Sequence, residues 1–478
     1  MRGWPMVIAM ILAVALVATL AVLGVGPRPP VRTPAPTVDT TTVIATSPTR
    51  GAVINASAGS GPQLVVVGNR VWVCWTVTAT TGNQAYIADS SDGGVTFGSP
   101  IPITYGGATM LQPSIVVDPA SGDLVGITAV LHGNREMLEG YWAPLTPGVT
   151  PTRTGEHGPG PWGTTALVWL TPVEGLKFFA LQPAPMIAPP DTSYSDPYPV
   201  VAGTAHYLIY KQTENKTTDT LWCLAMNLPD AKPVRVDDDT TGAGKLGHSG
   251  VYANGQLQVA YVDARRYPNR GCLLYTTRSA SPTTQFAPSQ LLDPPVERAW
   301  QVPPTMHVAE DGTLFIGATQ STEHYYAGSY REKLSRFGIG GLHQVIAYSR
   351  EPAVWQSQDQ GASWQSLGPF DDQQIEVSSG GVQVATHGDA LGIVWMESRP
   401  ITEPPDVRWA LRDTQGQMSA TESITATPGD TGIEMLYGAA WLDDGRLLAL
   451  YRDTVGNAGD NYQLVLARST PIIDDAAP

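Results

Sequence analysis

Apolar residues of this chain lie in short runs separated by turn residues, and the same arrangement recurs from about residue 60 to the end. Each unit has an apolar run, a turn with Gly or Asn-Gly, and a second apolar run, which is typical of a β-hairpin. The units start at Pro62, Gln112, Asp196, Ser249, Pro304, Val382 and Tyr437. Most are followed by a further hairpin, so the pattern predicts an all-β fold, a β-propeller of four-stranded antiparallel blades with a period of about 50 residues. Seven blades follow from this count, or six if one unit is not a blade.

The apolar positions in these runs are consecutive rather than alternating. Strands of this kind have both faces covered, as expected when each blade packs between two others. Helical periodicity is nearly absent from the body of the chain. The stretch at residues 41–45 is apolar enough to supply a last strand that closes the ring.

Two insertions interrupt the period, at residues 131–161 and 321–343. Both fall between the second and third predicted strands of a unit, so they emerge on the face opposite the turn between the third and fourth strands. Loops of this length are commonly lids or binding loops. Decoration of the surface, or contact with another protein, is an equal alternative, because exposed loops lengthen at little cost.

The composition excludes several classes of function. Charged residues make up 15% of the chain and the net charge is −15, with no basic run, so a nucleic-acid partner is not expected. The eight His are scattered without metal-ligand spacing, and neither a metal nor a cofactor is predicted. The acidic run at residues 237–239 is interpreted as a solvated turn, with a calcium site as the less favoured alternative.

The three cysteines lie inside apolar runs, which favours buried free thiols over a disulfide framework. They are Cys74, Cys223 and Cys272. A Cys223–Cys272 bridge between neighbouring repeats is the alternative.

The N-terminus differs from the rest of the chain. Residues 6–26 form an uncharged apolar run long enough to cross a bilayer, and no clear cleavage site follows it. Residues 1–26 are therefore predicted to be a transmembrane helix that anchors the protein, with a cleaved signal as the alternative. Residues 27–50 read as a Pro-rich linker and residues 51–478 as the propeller. This organisation predicts a membrane-anchored, extracytoplasmic protein, or a secreted one if the segment is cleaved.

Two short stretches follow one rule, Ser-x-Asp-x-Gly-x-Thr/Ser-aromatic. The first has Ser90, Asp92, Gly94, Thr96 and Phe97, and the second has Ser357, Asp359, Gly361, Ser363 and Trp364. In such a turn the carboxylate accepts hydrogen bonds from the turn's N–H groups, Gly takes a positive φ, and the aromatic ring enters the core. The motif is thus expected to staple a hairpin rather than to carry chemistry.

Both stretches resemble the Asp-box, or BNR repeat, of sialidase-type β-propellers, and the last unit is similar to the last blade of that family. The resemblance implies an exo-α-sialidase-related glycoside hydrolase that acts on glycans or glycoconjugates. It places Tyr437 at the position of the nucleophile, which needs a carboxylate to take its proton. The family's Glu has no counterpart in the matching stretch, so Glu397 and Asp263 are the candidate acids, with Glu434 a further one.

Three arginines recur after the second strand of a unit, and the resemblance implies a clamp for the substrate carboxylate. They are Arg265, Arg399 and Arg452. Each also neighbours an acid, so structural ion pairs at the blade edges are the alternative. Two functions therefore remain open: a sialidase-type hydrolase, and a catalytically inactive propeller that binds glycan or a protein ligand at the cell surface.

Overall fold

The structure is a computed structural model that describes most of the predicted propeller. The described residues are 36–47, 53–55, 61–79, 82–103, 109–133, 164–173, 178–181, 186–228, 231–265, 273–292, 303–325, 346–369, 378–398, 406–412, 418–419, 421–424, 435–454 and 462–472. The anchor predicted at residues 1–26 lies outside them. Across these ranges no helix is long and apolar enough to cross a membrane.

Within the described ranges thirty strands form seven antiparallel blades, which confirms the count of seven over six. The N-terminal strand is β1 (Val38–Thr46). The first blade contains β2 (Val53–Asn55), β3 (Leu64–Val67), β4 (Arg70–Ala79), β5 (Gly82–Ser90) and β6 (Ile101–Ile103). The second contains β7 (Thr109–Val117), β8 (Leu124–Gly133), β9 (Thr164–Val173), β10 (Phe178–Leu181) and β11 (Met186–Ile187). The third contains β12 (Thr192–Ala202), β13 (Ala205–Glu214), β14 (Thr218–Ala225) and β15 (Val234–Arg235).

The remaining four blades follow the same plan. The fourth contains β16 (Lys245–Ala253), β17 (Gln256–Asp263), β18 (Leu273–Ser279) and β19 (Gln290–Leu291). The fifth contains β20 (Thr305–Val308), β21 (Leu314–Tyr325), β22 (Ile346–Ser357) and β23 (Gln365–Pro369). The sixth contains β24 (Ser378–His387), β25 (Ala390–Ser398), β26 (Asp406–Arg412) and β27 (Glu422–Ser423). The seventh contains β28 (Met435–Trp441), β29 (Leu447–Thr454) and β30 (Tyr462–Ser469), and β1 completes it.

The ring is closed by both ends of the chain. Strand β1 pairs antiparallel with β30, so residues 41–45 do supply the closing strand, from within the range assigned to the linker. The indole N–H of Trp409 in the sixth blade donates to the carbonyl of Pro36 at 2.8 Å, and the hydroxyl of Thr42 donates to the carbonyl of Gly94 in the first blade at 2.9 Å. The N-terminal strand therefore touches three blades.

A separate apolar core fills the interface between every two neighbouring blades, which makes seven cores in the described part of the ring. Strand β4 shows why its apolar residues are consecutive. Val71, Val73 and Trp75 face the seventh blade, whereas Trp72 and Cys74 face the second. Because a strand's side chains alternate between its two faces, a blade between two neighbours needs apolar residues at every position.

Both Asp-box turns have the predicted geometry. In the second turn the hydroxyl of Ser357 donates to Asp359 at 2.8 Å, and the N–H of Gly361 donates to the Ser357 hydroxyl at 2.8 Å. Hydrogen bonds from Ser363 hold the pKa of Asp359 at about 2. The first turn repeats this pattern, and its Gly94 has φ +84°. These motifs are folding staples, as expected.

Each staple also packs against the preceding blade. A Cβ at Gly94 would lie 2.5 Å from Leu466 in the seventh blade, and one at Gly361 would lie 2.5 Å from Gln258 in the fourth. The amide of Gln258 donates to the carbonyl of Gln360 at 2.9 Å. Glycine is thus required for close approach between blades as well as for the turn.

Both insertions occupy the predicted place. The first lies between β8 and β9 and the second between β21 and β22, which are the second and third strands of their blades. The Asp-box turns instead follow third strands, at the opposite end of the blade. The inserted residues themselves lie almost entirely outside the described ranges.

Candidate functional site

A cavity of about 210 Å³ lies where the first strands of six blades face one another. These are the inner strands of the ring, because first strands of successive blades contact one another around it. Most lining residues belong to the beginning of their strand, so the cavity lies toward the face that bears the insertions. The polar side chains around it are Gln63, Tyr198, His248, Thr305, His307, Gln383 and Tyr437. Ligand pockets usually measure roughly 300–1,000 Å³, so this axial cavity suits one sugar-sized group.

Irregular pairing between first and second strands places several of these side chains. A β-bulge interrupts β28 between Leu436 and Gly438, at Tyr437. Comparable bulges precede Tyr198 in β12 and His248 in β16. A bulge adds a residue to one strand and changes the direction of its side chain, which is how a regular blade turns a polar group toward the axis.

Tyr437 lies on the axial cavity, as a nucleophile or ligand contact requires. Its ring is 7% exposed and also packs in the core between the seventh and first blades. The position predicted from the last unit is therefore at the ring axis. Its role in chemistry stays a prediction.

Two imidazoles on the cavity are held neutral. Burial lowers the pKa of both His248 and His307 to about 4. The Nε2 atom of His307 shares a hydrogen bond of 2.8 Å with the hydroxyl of Thr386. The Nε2 atom of His248 is buried and has no hydrogen-bond partner among the described residues. The two imidazoles on the inner strands therefore differ in whether Nε2 has a hydrogen-bond partner among the described residues.

The phenol of Tyr198 completes this side of the cavity. Its ring centroid lies 6.3 Å from that of His248, and burial raises its pKa to about 12. The group is a neutral hydrogen-bond donor at physiological pH. A neutral donor and a neutral acceptor thus lie side by side.

An ionic cluster supports these residues from the second and third blades. The Asp196 carboxylate pairs with Lys211 at 3.0 Å, and Gln112 exchanges two hydrogen bonds of 2.7 Å with Asp196. Gln112 and Asp196 both have positive φ, +53° and +55°, in the bulges of β7 and β12. Backbone strain of this kind is maintained only when surrounding contacts impose it, and here the Gln112 amide does so by donating to the Asp196 carboxylate and accepting from the Asp196 backbone N–H.

Arg265 and Asp263 come together as an ion pair at the end of β17. The Arg265 Nε donates to Asp263 at 2.7 Å, its Nη1 pairs with Asp238 at 2.9 Å, and the guanidinium lies 4.3 Å from the ring of Tyr275. Buried Lys245 lies 3.5 Å from Asp263. Neither Arg265 nor Asp263 lines the axial cavity.

Glu397 and Arg452 are also held by neighbours away from the cavity lining. Glu397 accepts a hydrogen bond from the Trp395 indole at 2.9 Å and lies 3.2 Å from Arg408. Arg452 is 5% exposed, donates to the carbonyl of Ile54 at 3.1 Å and stacks on an aromatic ring. The predicted Arg399 and Glu434 lie outside the described residues.

The acidic run at residues 237–239 is not a solvated turn. Asp237 accepts the N–H of Leu221 at 2.5 Å, and Asp239 pairs with Lys245 at 2.8 Å, so both carboxylates are buried. No group of three or more potential metal ligands occurs in the described ranges. The run therefore stabilises the third blade against the fourth.

Two of the cysteines are buried free thiols, as predicted. Burial raises the pKa of Cys74, and that of Cys223 to about 12. The third, Cys272, lies outside the described residues.

Sequence reasoning missed Tyr198, His248 and His307. A signal was present, because Tyr198 and His307 lie in the first apolar run of their units, where Tyr437 also lies, and His248 immediately precedes such a run. Their convergence depends on closure of the ring, which no local pattern reports.

No protein-family model matches the chain, and no curated protein matches it. Solved structures do. A PL25 ulvan lyase aligns with a TM-score of 0.52 and 11% identity, over 87% of this chain and 95% of its own. A PL25 ulvan lyase bound to -[GlcA(1-4)Rha3S]- aligns with a TM-score of 0.52 and 12% identity, over the same shares. These neighbours are glycan-active enzymes, and at such identities the likeness shows the propeller fold alone.

Proposed function

We propose that this chain is a glycan-active β-propeller and that the axial cavity is its sugar site. The observation that carries the proposal is the convergence of Tyr198, His248 and Tyr437 on one cavity at the insertion-bearing face. Aromatic rings with a polar edge pack against a sugar ring while their polar atoms bond its hydroxyl groups. Gln63 and Gln383 add amide donors and acceptors to the same lining.

The groups on the cavity suit proton transfer, and we propose elimination as the reaction. A neutral imidazole accepts a proton and a phenol donates one. In elimination from a uronate, a base takes the proton beside the carboxyl group. The electron pair forms a C=C bond as the bond to the next sugar's oxygen breaks, and an acid protonates that oxygen. The ulvan lyases that share the fold act on a glucuronate-containing polymer, which supplies the probe.

Sialidase-type hydrolysis is the second candidate, favoured by the location of Tyr437 on the cavity. It requires a carboxylate to activate the phenol and arginines to hold the substrate carboxylate. Arg265 has two acidic partners of its own, and Glu397 faces Arg408. These contacts support ion pairing at the blade edges more than a clamp.

The test compares wild type, Tyr437→Phe and the control Tyr207→Phe on two substrates. Tyr207 is equally buried but lies between the third and fourth blades, away from the cavity lining. Ulvan oligosaccharide reports elimination through the ultraviolet absorbance of the new double bond, and a fluorogenic sialoside reports hydrolysis. We expect elimination by wild type and the control, with a loss of at least tenfold in Tyr437→Phe.

The other outcomes separate the alternatives. Sialoside turnover that depends on Tyr437 would replace elimination by hydrolysis. Saturable glycan binding without turnover of either substrate would make the chain a binding propeller. If the protein neither binds nor turns over either substrate, the assignment of a glycan site is overturned.

We also propose an extracytoplasmic location, with the apolar residues 6–26 as membrane anchor. Support comes from the length and lack of charge of this segment. Fractionation of cells that express the full chain or a form lacking residues 1–26 tests it. Recovery of both forms in the same soluble fraction would contradict an anchor.

A further inference from the structure

The chain enters the ring at the face that bears the Asp-box turns, here called the Asp-box face. Strand β30 is the third strand of the seventh blade, and the Asp-box turns follow the third strands of the first and fifth blades. Strand β1 runs antiparallel to β30, and its first residue, Val38, lies opposite Ser469 at the end of β30. A Cβ at Gly93 in the first Asp-box turn would lie 3.9 Å from the guanidinium carbon of Arg468. The start of β1 is therefore level with the Asp-box turns.

The residues just before β1 are fixed to this face. Pro36 is buried, and its carbonyl accepts the indole N–H of Trp409 in the sixth blade at 2.8 Å. The carbonyl of Thr37 accepts the N–H of Thr470 at 2.8 Å, and the hydroxyl groups of these two threonines lie 3.0 Å apart. Because β1 is the outermost strand of its blade, the chain reaches the ring at a fixed point on the rim of the Asp-box face.

The distance between this point and the proposed anchor is limited by the length of the chain. Residues 27–35 separate the apolar run at residues 6–26 from Pro36. A Pro-rich chain rises about 3.1 Å per residue, so this segment reaches roughly 28 Å, and about 32 Å is the limit for full extension. Strand β1 has 9 residues and leads from the Asp-box face toward the insertion-bearing face over roughly 30 Å. The linker is thus about as long as the ring is thick.

This length decides which face can be turned to the membrane. With the insertion-bearing face against the bilayer, the linker would have to run the full height of the ring. It would be fully stretched, with no length left for the residues inserted on that face between β8 and β9 and between β21 and β22. Full extension removes conformational freedom and is therefore disfavoured by entropy. With the Asp-box face toward the bilayer, the linker covers only the gap between the membrane and the ring.

We propose that the axial cavity opens away from the membrane, toward the medium, because its lining residues lie near the insertion-bearing face. The substrate is then a glycan in solution rather than a glycolipid of the membrane that holds the anchor. The inference rests on the proposed function and on the proposed anchor, and it names the source of the sugar that the cavity binds.

The experiment measures the orientation from two positions at opposite ends of β14. Thr217 precedes the strand on the insertion-bearing face, Leu228 follows it on the Asp-box face, and both side chains are exposed. Each is replaced in turn by Cys in the full chain and labelled with a fluorescent donor. The protein is then reconstituted in phosphatidylcholine vesicles that contain a rhodamine-labelled lipid. Because β14 has 8 residues, the labels differ in height by roughly 26 Å, and we expect at least about twofold more energy transfer from Leu228→Cys than from Thr217→Cys.

Two controls and one binding measurement accompany the labels. Wild type treated with the same dye gives the background, since Cys74 and Cys223 are buried. The form that lacks residues 1–35 keeps β1 and should show no transfer from either position. By calorimetry, ulvan oligosaccharide in solution should bind the vesicle-bound chain as tightly as it binds this shortened form.

Equal transfer from the two positions, or greater transfer from Thr217→Cys, would overturn the inference. Oligosaccharide binding that is several-fold weaker in vesicles than in the shortened form would also overturn it. If the full chain does not associate with vesicles, the proposed anchor fails and the inference fails with it. If oligosaccharide binds neither form, the proposed glycan site fails, whereas the difference between the two labels still decides which face is turned to the membrane.

Discussion

Replacement of His307 by Gln is expected to flatten the dependence of stability on pH between pH 6.5 and pH 4. Burial lowers the pKa of this imidazole from its ordinary value of 6.5 to about 4. As the pH falls below 6.5, the unfolded chain binds a proton that the folded chain does not bind, so the free energy of unfolding falls. The fall continues until the folded ring is protonated as well, near pH 4.

The size of the effect follows from the shift. A pKa lowered from 6.5 to about 4 corresponds to roughly 3 kcal/mol of stability, present above pH 6.5 and lost at pH 4. Within the window the slope is about 1.4 kcal/mol per pH unit for one ring. His248 adds a similar slope, because burial lowers its pKa to the same value. Wild type should therefore lose stability steeply in weak acid.

The assay is urea unfolding of wild type, His307→Gln and Thr386→Ala at several pH values. Thr386 is the hydrogen-bond partner of His307, so its loss lowers stability while it keeps the titrating ring. We expect Thr386→Ala to retain the wild-type slope and His307→Gln to lose about half of the histidine slope. The test compares the variants with one another, because the wild-type curve also contains the effect of buried Asp263. The raised pKa of Asp263 changes stability with pH in the direction opposite to that of the histidines.

Parallel stability curves for wild type and His307→Gln between pH 6.5 and pH 4 would show that His307 does not cause the loss of stability in acid. The Asp-box carboxylates do not mask the effect. The pKa of Asp359 is held at about 2, so its contribution is lost only below the ordinary range of an aspartate. The pH range in which the histidines change stability therefore lies above the range in which the Asp-box carboxylates do so.

Three further predictions concern the ring itself. Gly94→Ala should lower the free energy of unfolding by roughly 1–3 kcal/mol in urea, because the new Cβ would lie 2.5 Å from Leu466 at φ +84°; Ser91→Ala, on the same turn but exposed, serves as control, and equal stability of both would contradict this. Lys245→Met should cost roughly 3–5 kcal/mol, because it leaves the buried carboxylate of Asp239 without its cation and leaves Asp263 with Arg265 alone; a thermal midpoint equal to wild type would show that water reaches the Asp239 carboxylate. Deletion of residues 1–47 should prevent closure of the ring, whereas deletion of residues 1–35 keeps β1 and should leave the folded state intact by circular dichroism and proteolysis.

Five inner strands near the cavity contain a bulge, and three of these bulges hold a residue with positive φ. Gln112, Asp196 and Gly381 take positive φ at the bulges of β7, β12 and β24. Regular pairing would direct these residues into the inter-blade cores, whereas a bulge frees the following residue to face the axis. Irregular pairing is thus a recurrent feature of the strands that line the cavity.

The amino-acid sequence was sufficient to predict the architecture, because each blade forms from contacts between neighbouring segments of the chain. Repeated apolar hairpins predicted seven blades, the stretch at residues 41–45 predicted the closing strand, and the spacing of Ser, Asp and Gly predicted the staples. Each of these depends on contacts within one hairpin or on covering both faces of a strand. Such requirements are written in consecutive residues.

The folded ring was needed to show which residues lie at the axis and which form ion pairs at the blade edges. Tyr198, His248 and Tyr437 come from three different blades and converge only when the ring closes. An arginine after the second strand is compatible in sequence with either a substrate clamp or a structural ion pair. The ion pair between Arg265 and Asp238, which lies on a neighbouring turn, is visible only in the folded structure. Long-range placement depends on the sum of seven interfaces, so no short segment of the chain contains it.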